Sequence, residues 1–406
     1  MFKQIRLTVV FTLGTILAAF ATPAVAGLLP GYQYRQAITV GSSMTPADVT
    51  DFPVLIKVTD QGSPLFTHAK SPNGYDIAFT AEDGTTLLSH EVEHFSAGGT
   101  KELDAWVKTD LSSSADTTLY MYYGKSGVST DPSTTATWNS NYNMVQHLQE
   151  TSATRYDSTA NGNDAGPLGN VVHDPSGQIN GADEFDGVTG TRLVAPPSVA
   201  TPITVVSRDH FTASVWFQPD SLSGYKYLFS HMEGLGDGTT AANDSFYMFL
   251  SNATLRARIW TNTPGSQWES WLNTTVPDAG WHHAAFVFDG PNNMQYLYLD
   301  GSLATSTPTT GTQRWESASY VDAYVMAARG ENELYDRVLD GSLDEVRLLD
   351  TAVDADWIQA VYRNQFAPGQ YLGFGAETLI PEPASIVLFG LGGLGLIGLG
   401  WRRKKK

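Results

Sequence analysis

The sequence predicts an all-β chain of two domains, and three observations carry that prediction. From Tyr34 onward, short runs of alternating, β-branched or aromatic residues recur, with glycine, proline, asparagine or aspartate between most of them. A stretch rich in Ser, Thr and Pro, SGVSTDPSTTATWNSN, separates two such β-rich regions and has no periodicity of its own. Only one segment reads convincingly as a helix: Asp354 to Tyr362, DADWIQAVY, short and with an acidic first turn.

Taken in chain order, residues 1–26 read as a secretory signal peptide. Lys3 and Arg6 precede an apolar run from Leu7 to Phe20, and Ala24-Val25-Ala26 supplies a small-residue cleavage site. Residues 27–126 form the first domain, with strands expected in YRQAITV, FPVLIKV, YDIAFT, TTLLSHEVEHF, ELDAWVKTDL and TTLYMYYGK. Residues 127–141 are the linker, and 142–377 the second domain, with strands in FTASVWFQP, YKYLFSHM, SFYMFLS, LRARIWT, HHAAFVFD, MQYLYLDG and SLDEVRLLD. Residues 378–406 hold an apolar stretch closed by Arg402, Arg403, Lys404, Lys405 and Lys406. As a helix, Ala384 to Trp401 would span roughly 27 Å, close to the ~30 Å hydrocarbon core, with its basic end inside the cell.

The chain carries 24 basic and 42 acidic residues. Setting aside two basic residues of the leader and five of the tail leaves 17 against 42, a formal charge of −25 on the exported body. Such a body is repelled by nucleic acid and by anionic membrane surfaces. Cysteine is absent, which excludes thiol catalysis, disulfide frameworks and Cys-ligated zinc. Stability must then come from core burial, for which the chain is long enough in two domains.

One motif demands a decision. LLSHEVEHFS contains His90, Glu91 and His94, an H-E-x-x-H run that serves zinc only on a helix, where positions i and i+4 share a face. Here EDGTT supplies a turn before it and SAGG another after it. Alternation sets Leu88, His90, Val92 and His94 on one face and Ser89, Glu91, Glu93 and Phe95 on the other. On a strand the two imidazoles stand roughly 13 Å apart between Cα atoms and cannot share an ion. The segment is therefore expected to be a strand, not a metalloprotease site.

These stretches also carry family resemblances. DFPVLIKVTD, GYDIAFTAEDGTTLLSHEVEHF, ELDAWVKTDL and TTLYMYYGK resemble an uncharacterised β-sandwich family of secreted and surface bacterial proteins over residues 32–125, in which L-x-H-E-[IV]-E recurs within a strand. The family brings no assigned catalytic residues. GQINGADEFDGVTGTRLV, FTASVWFQPDS, GWHHAAFVFDGPNNMQYLYLDGSLATS and LDGSLDEVRLLDTAVDADWIQAVYRNQ resemble laminin-G-like modules of the concanavalin A-like lectin/glucanase superfamily. That resemblance implies a jelly roll of two antiparallel sheets, so the expected fold is two antiparallel β-sandwich domains, the second a jelly roll. Trp216 and Trp281 fall inside its strands and read as core. Glucanases on this scaffold carry E-x-D-x-x-E. The nearest match, EFDGVT, ends in Thr189 where the acid/base should stand, which speaks against glycoside hydrolysis.

Two sets of residues are candidates for binding. In YDSTANGNDAG, Asp157, Asn161, Asn163 and Asp164 crowd side-chain oxygens into a loop, as a structural Ca2+ requires. The same residues also read as ordinary turn residues bonding their own backbone. The superfamily resemblance implies a calcium held between early and late segments, drawing in Asp344, so the metal set is Asp157, Asn163 and Asp344. In IWTNTPGSQWESWLN, Trp260, Trp268 and Trp271 surround a polar turn, where rings either stack on a sugar or plug the rim of the sandwich.

Ile380 to Lys406 resembles the PEP-CTERM sorting signal, with Pro381-Glu382-Pro383, a glycine-rich apolar stretch and a basic cluster in order. The resemblance implies an exosortase-type sorting enzyme as partner and release to the cell surface or matrix of a Gram-negative bacterium. A plain single-pass anchor is the alternative. The expected function is an exported, non-enzymatic surface or matrix protein that binds carbohydrate or another polymer in adhesion or biofilm. A polysaccharide hydrolase with an unrecognised site and a ligand-free spacer are the rivals.

Overall fold

A computed structural model describes residues 28–195, 209–233, 243–260, 271–309, 322–328 and 337–381. The expected signal peptide, Trp268, Glu382, Pro383 and the expected membrane span 384–401 lie outside the described residues. No helix among the described residues is long and apolar enough to cross a membrane.

Two antiparallel β-sandwiches account for the described strands. The first is built from β1 (Tyr34–Val40), β2 (Val49–Val58), β3 (Ala78–Ala81), β4 (His90–Ser96), β5 (Glu102–Leu111) and β6 (Thr117–Tyr123), with a one-turn helix α1 (Leu65–His68). Inward residues of β2 and β5, among them Val54, Ile56, Ala105 and Val107, meet Ile38, Phe79, Leu119 and Met121 from the facing sheet in one buried cluster. Alternation along the strands places them there.

The second sandwich holds β7 (Tyr142–Gln146), β8 (Gly166–Leu168), β9 (Val171–Asp174), β10 (Ala182–Asp186), β11 (Arg192–Ala195), β12 (His210–Pro219), β13 (Tyr225–Glu233) and β14 (Asn243–Ser251). It continues through β15 (Thr254–Ile259), β16 (Leu272–Thr275), β17 (His282–Asp289), β18 (Met294–Leu299), β19 (Ser302–Pro308), β20 (Asp322–Met326) and β21 (Asp340–Leu349). One sheet runs β19-β18-β17-β12-β21-β10-β9, with β7 also paired to β21; the other runs β16-β15-β14-β13-β20-β11-β8. Phe211, Phe246, Phe286 and Phe288 fill the space between them, with Phe211 and Phe246 stacked at 4.5 Å. A tight turn follows β18. Asp300 and Gly301 both have positive φ (50° and 72°), as a two-residue hairpin turn between β18 and β19 requires.

The helix α2 (Ala355–Phe366) starts where expected, with the Asp354 carboxylate accepting from the Trp357 amide at 2.9 Å, and runs one turn beyond Tyr362. That extra turn joins the two sandwiches. The Asn364 amide accepts from the Leu55 N–H (2.7 Å) and donates to the Leu55 carbonyl (3.2 Å), completing the free edge of β2. Gln365 accepts from the Trp216 indole at 2.5 Å, so Trp216 is buried beneath α2 and stacks on Tyr362. Trp281 is half-buried.

The last strand, β22 (Leu372–Leu379), corrects the expected boundary at 377. It pairs with β1, from Val40 opposite Leu372 to Tyr34 opposite Leu379, giving the first sandwich a sheet of order β22-β1-β6-β3 facing β2-β5-β4. Glu377 on this strand meets His68 Nδ1 at 2.7 Å and accepts from the Tyr123 hydroxyl at 2.8 Å. The first domain is thus closed by residues from the far side of the second, because an unpaired β1 edge is satisfied by any strand the chain can return to it.

The expected linker is also built in. Ser133 Oγ accepts from the Val92 amide, the Thr134 amide donates to the His90 carbonyl, and Trp138 is buried. It covers the outer edge of β4.

Candidate functional site

The surface between the two sandwiches concentrates ionisable side chains, and β4 explains how they come to be there. The segment is a strand, as its flanking turns predict. Its pairing with β5 slips between Val92, opposite Ala105, and His94, opposite Asp104, so that Glu93 is a bulged extra residue. That single insertion reverses the alternation beyond it. His90 stays inward against Phe79 (5.3 Å), and burial pushes its imidazole down. His94, expected on the same face, instead lies opposite Asp104, on the Trp106 side. Phe95 takes the inward position. The two imidazoles therefore occupy opposite faces, not one face.

Glu93 stays beside Glu91, on the face that alternation assigns to both and that meets the second sandwich. Glu93 Oε2 accepts from the Trp106 indole at 2.7 Å, and Glu91 accepts from the Trp138 indole (2.6 Å) and the Ser158 hydroxyl (2.7 Å). Opposite them stands His147, just past β7. Its Nδ1 is 2.6 Å from Glu345 Oε1 and 3.5 Å from Glu93 Oε2, and its Nε2 is 3.6 Å from Glu91 Oε2. Glu345 has a positive φ of 51° at an irregularity in the pairing of β21 with β12. Arg347 Nε donates to Glu345 at 3.0 Å, and its guanidinium lies 4.3 Å from the Trp106 ring centre and 4.9 Å from that of Trp138.

Burial alone would discharge His147, but the carboxylates of Glu345, Glu93 and Glu91 more than offset it and hold the imidazole charged. Burial pushes Glu93 up to about 8 despite His147 beside it. Glu345 is held down by His147 and Arg347 against its burial. Asp344, also enclosed, is raised well above the carboxylate range by burial and by Glu345 next to it. Glu93, His147 and Glu345 each offer one donor atom, and the three lie within 4.8 Å of one another. A cleft of about 410 Å3 opens over Glu91, Glu93 and His147, with Tyr75, His94 and Tyr156 on its walls.

The residues expected to hold calcium are arranged differently. Asp157 Oδ1 accepts from the amides of Val145 and Thr159 (both 3.0 Å), and Oδ2 accepts from the Thr159 hydroxyl and the Asn163 amide (both 2.8 Å). Three of these bonds come from the loop itself and one from β7. Asn163 Nδ2 donates to the Asn143 carbonyl at 2.9 Å. Asp344 shares no hydrogen bond with either; its Oδ2 accepts from the Ile179 amide at 2.8 Å, beside the His147 cluster. An acid not read from the sequence, Asp183, is buried in a bidentate pair with Arg155 (2.6 and 2.6 Å).

The tryptophan segment lies on the outer face of the seven-stranded sheet. Leu255, Ala257 and Ile259 of β15 point into the core, so Thr254, Arg256, Arg258 and then Trp260 alternate outward, all half-buried. Trp271, 38% exposed, packs on Phe249 (5.6 Å) and Tyr247 (5.9 Å) and has the guanidinium of Arg258 at 4.5 Å and that of Arg256 at 5.8 Å. Tyr225, 54% exposed, extends the patch by stacking on Phe249, with Arg337 5.4 Å from its ring. The arginines were not singled out in the sequence, although R-x-R at strand spacing beside three tryptophans was a readable signal. Pro381 ends the described residues, and its partners in the sorting triplet lie beyond them.

Three family profiles match. Residues 196–359 match the concanavalin A-like lectin/glucanases superfamily in its laminin-G form, 73–162 match a domain of unknown function (DUF2341), and 379–404 match the PEP-CTERM protein-sorting motif. The DUF2341 match runs through the expected linker and β7 to the Asp157 loop. A search of curated proteins found no match. Among solved structures, the chain is similar to the CBM40 of the Ruminococcus gnavus IT-sialidase bound to α2,3-sialyllactose, with 14% identity and a TM-score of 0.35 over 45% of this chain and 96% of that one. It is also similar to the binding domain of botulinum neurotoxin serotype D, with 9% identity and a TM-score of 0.41 over 55% of this chain and 52% of that one. The PEP-CTERM motif and the extracellular type of the domains point to an exported protein, and the motif implies processing by an exosortase.

Proposed function

We propose that this protein is an exported, non-enzymatic component of the cell surface or matrix that binds extracellular polysaccharide through the outer face of its seven-stranded sheet. The observation that carries the reading is Trp271, an exposed ring flanked by Arg256 and Arg258 on a body whose overall charge is strongly negative. An exposed indole offers an apolar plane to the C–H face of a pyranose, and adjacent guanidiniums donate to hydroxyls or to a carboxylate in fixed fork geometry. Acidic polysaccharides fit this pairing best. Elsewhere the acidic surface repels such polymers and leaves this patch as the point of contact.

Before release, the apolar stretch 384–401 would hold the chain in the inner membrane while an exosortase-type enzyme acts at Pro381-Glu382-Pro383. The test is binding of the full chain to an array of neutral and uronic-acid-containing glycans. Trp271→Ala and Arg258→Ala should each weaken binding by about 1–2 kcal/mol, roughly 5- to 30-fold, as loss of an aromatic or arginine anchor does. Unchanged affinity in both variants removes this face from consideration, and steady release of reducing ends from a bound polysaccharide would replace the binding reading with a hydrolytic one.

A further inference from the structure

We infer that Glu93, His147 and Glu345 hold one divalent transition-metal ion, zinc foremost, which staples the first sandwich to the second. The inference is independent of the polysaccharide-binding face. Three features carry it. The donor set is one imidazole and two carboxylates, all enclosed, contributed by β4 of one sandwich and by the end of β7 and β21 of the other. Imidazole with carboxylate suits zinc, and also manganese or iron, better than it suits calcium, which takes oxygen alone.

The second feature is a concentration of carboxyl groups with an unpaired atom. Glu91, Glu93 and Glu345 surround His147, Arg347 pairs with Glu345, and Asp344 lies beside them. Glu93 Oε1 is buried without a hydrogen-bond partner in a wholly enclosed side chain, and His147 Nε2 has only Glu91 Oε2, at 3.6 Å. A buried carboxylate oxygen facing no donor is what a cation would satisfy.

The third is spacing. Donors on a tetrahedral zinc stand roughly 3.3–3.5 Å apart, given bonds of ~2.0–2.2 Å. His147 Nδ1 and Glu93 Oε2 are already 3.5 Å apart; His147 and Glu345, at 2.6 Å, would open by under an ångström, the ion taking the place of the imidazolium proton at Nδ1, which passes to solvent. Arg347 and the Trp106 indole hold Glu345 and Glu93 from behind, the outer support that metal carboxylates receive. Both Glu93 and His147 also border the cleft, which leaves a coordination position for water.

The experiment uses the full chain, produced without a polyhistidine tag, stripped with EDTA and titrated separately with Zn2+, Mn2+ and Ca2+. Expected is uptake of one Zn2+ or Mn2+ per chain at micromolar concentration by calorimetry and elemental analysis, with a rise in melting temperature. Glu93→Gln, which keeps the shape and the acceptor for Trp106, should lower that affinity by more than about tenfold, as should His147→Gln. Circular dichroism confirms that the variants fold. The inference is overturned if the stripped parent chain takes up neither Zn2+ nor Mn2+ in saturable fashion, or if both variants bind as the parent does. Uptake of Ca2+ alone overturns it equally.

Discussion

Two imidazoles of the second sandwich, His231 and His283, are fully enclosed, and burial pushes them down to about 3 and about 4, with Arg347 adding to the effect on His283. Both are neutral in the fold, whereas in the unfolded chain they take up a proton below the ordinary value of 6.5. Their contribution is complete above that pH and is lost as the pH falls toward the folded values, by roughly 1.4 kcal/mol per unit for each. Urea unfolding between pH 6.5 and 5 should therefore show a shallower loss of stability in His231→Phe than in the parent. Equal slopes would mean that His231 is not held neutral. At this same scale the sequence was least legible where one inserted residue decided a face. Alternation put Glu91 and Glu93 together on the face opposite His90, as the structure has them, but the bulge at Glu93 sent His94 to their side and Phe95 inward. A bulge leaves no mark in a run of residues that all tolerate strand conformation.

Among the elements, α2 shows how a correctly placed helix can still hide its role. Its start was readable from Asp354, because capping is local. Its work is done by Asn364 and Gln365, which read as ordinary polar residues yet are buried, each bonded to a different sandwich. Asn364→Ala strips the buried Leu55 N–H and carbonyl of their partner and should destabilise the protein by about 2–3 kcal/mol in chemical denaturation. Asp354→Ala, at the exposed cap, should remove only about 1 kcal/mol. A reversed ranking would show that α2 does not join the two bodies. The same helix explains why HHAAFVFD is buried on both faces: Phe286 and Phe288 fill the sandwich core while Ala285 and Val287 lie under Ile358.

Across the whole molecule, β22 returns to β1 and a third apolar cluster, with Leu55 and Trp106 of the first sandwich against Tyr142, Val145 and Leu349 of the second, fills the space between. Neither body is complete without the other, so scanning calorimetry of the full chain should give one endotherm, and truncation after Tyr371 should lower the melting temperature of the part containing β1. Two well-separated endotherms in the intact chain would contradict this. The sequence by itself determined the all-β class, the strands β1–β6 and the longer strands of the second sandwich, the helix start and the C-terminal PEP-CTERM motif, because alternation, turn chemistry, capping and a linear motif are all set by residues within a few positions of each other. Only the tertiary structure decided which sandwich receives the last strand, which way His94 and Phe95 face, and that Glu93, His147 and Glu345 meet. Strand pairing between distant segments is chosen by the edges and registers left available once the rest has packed, and no local pattern encodes that choice.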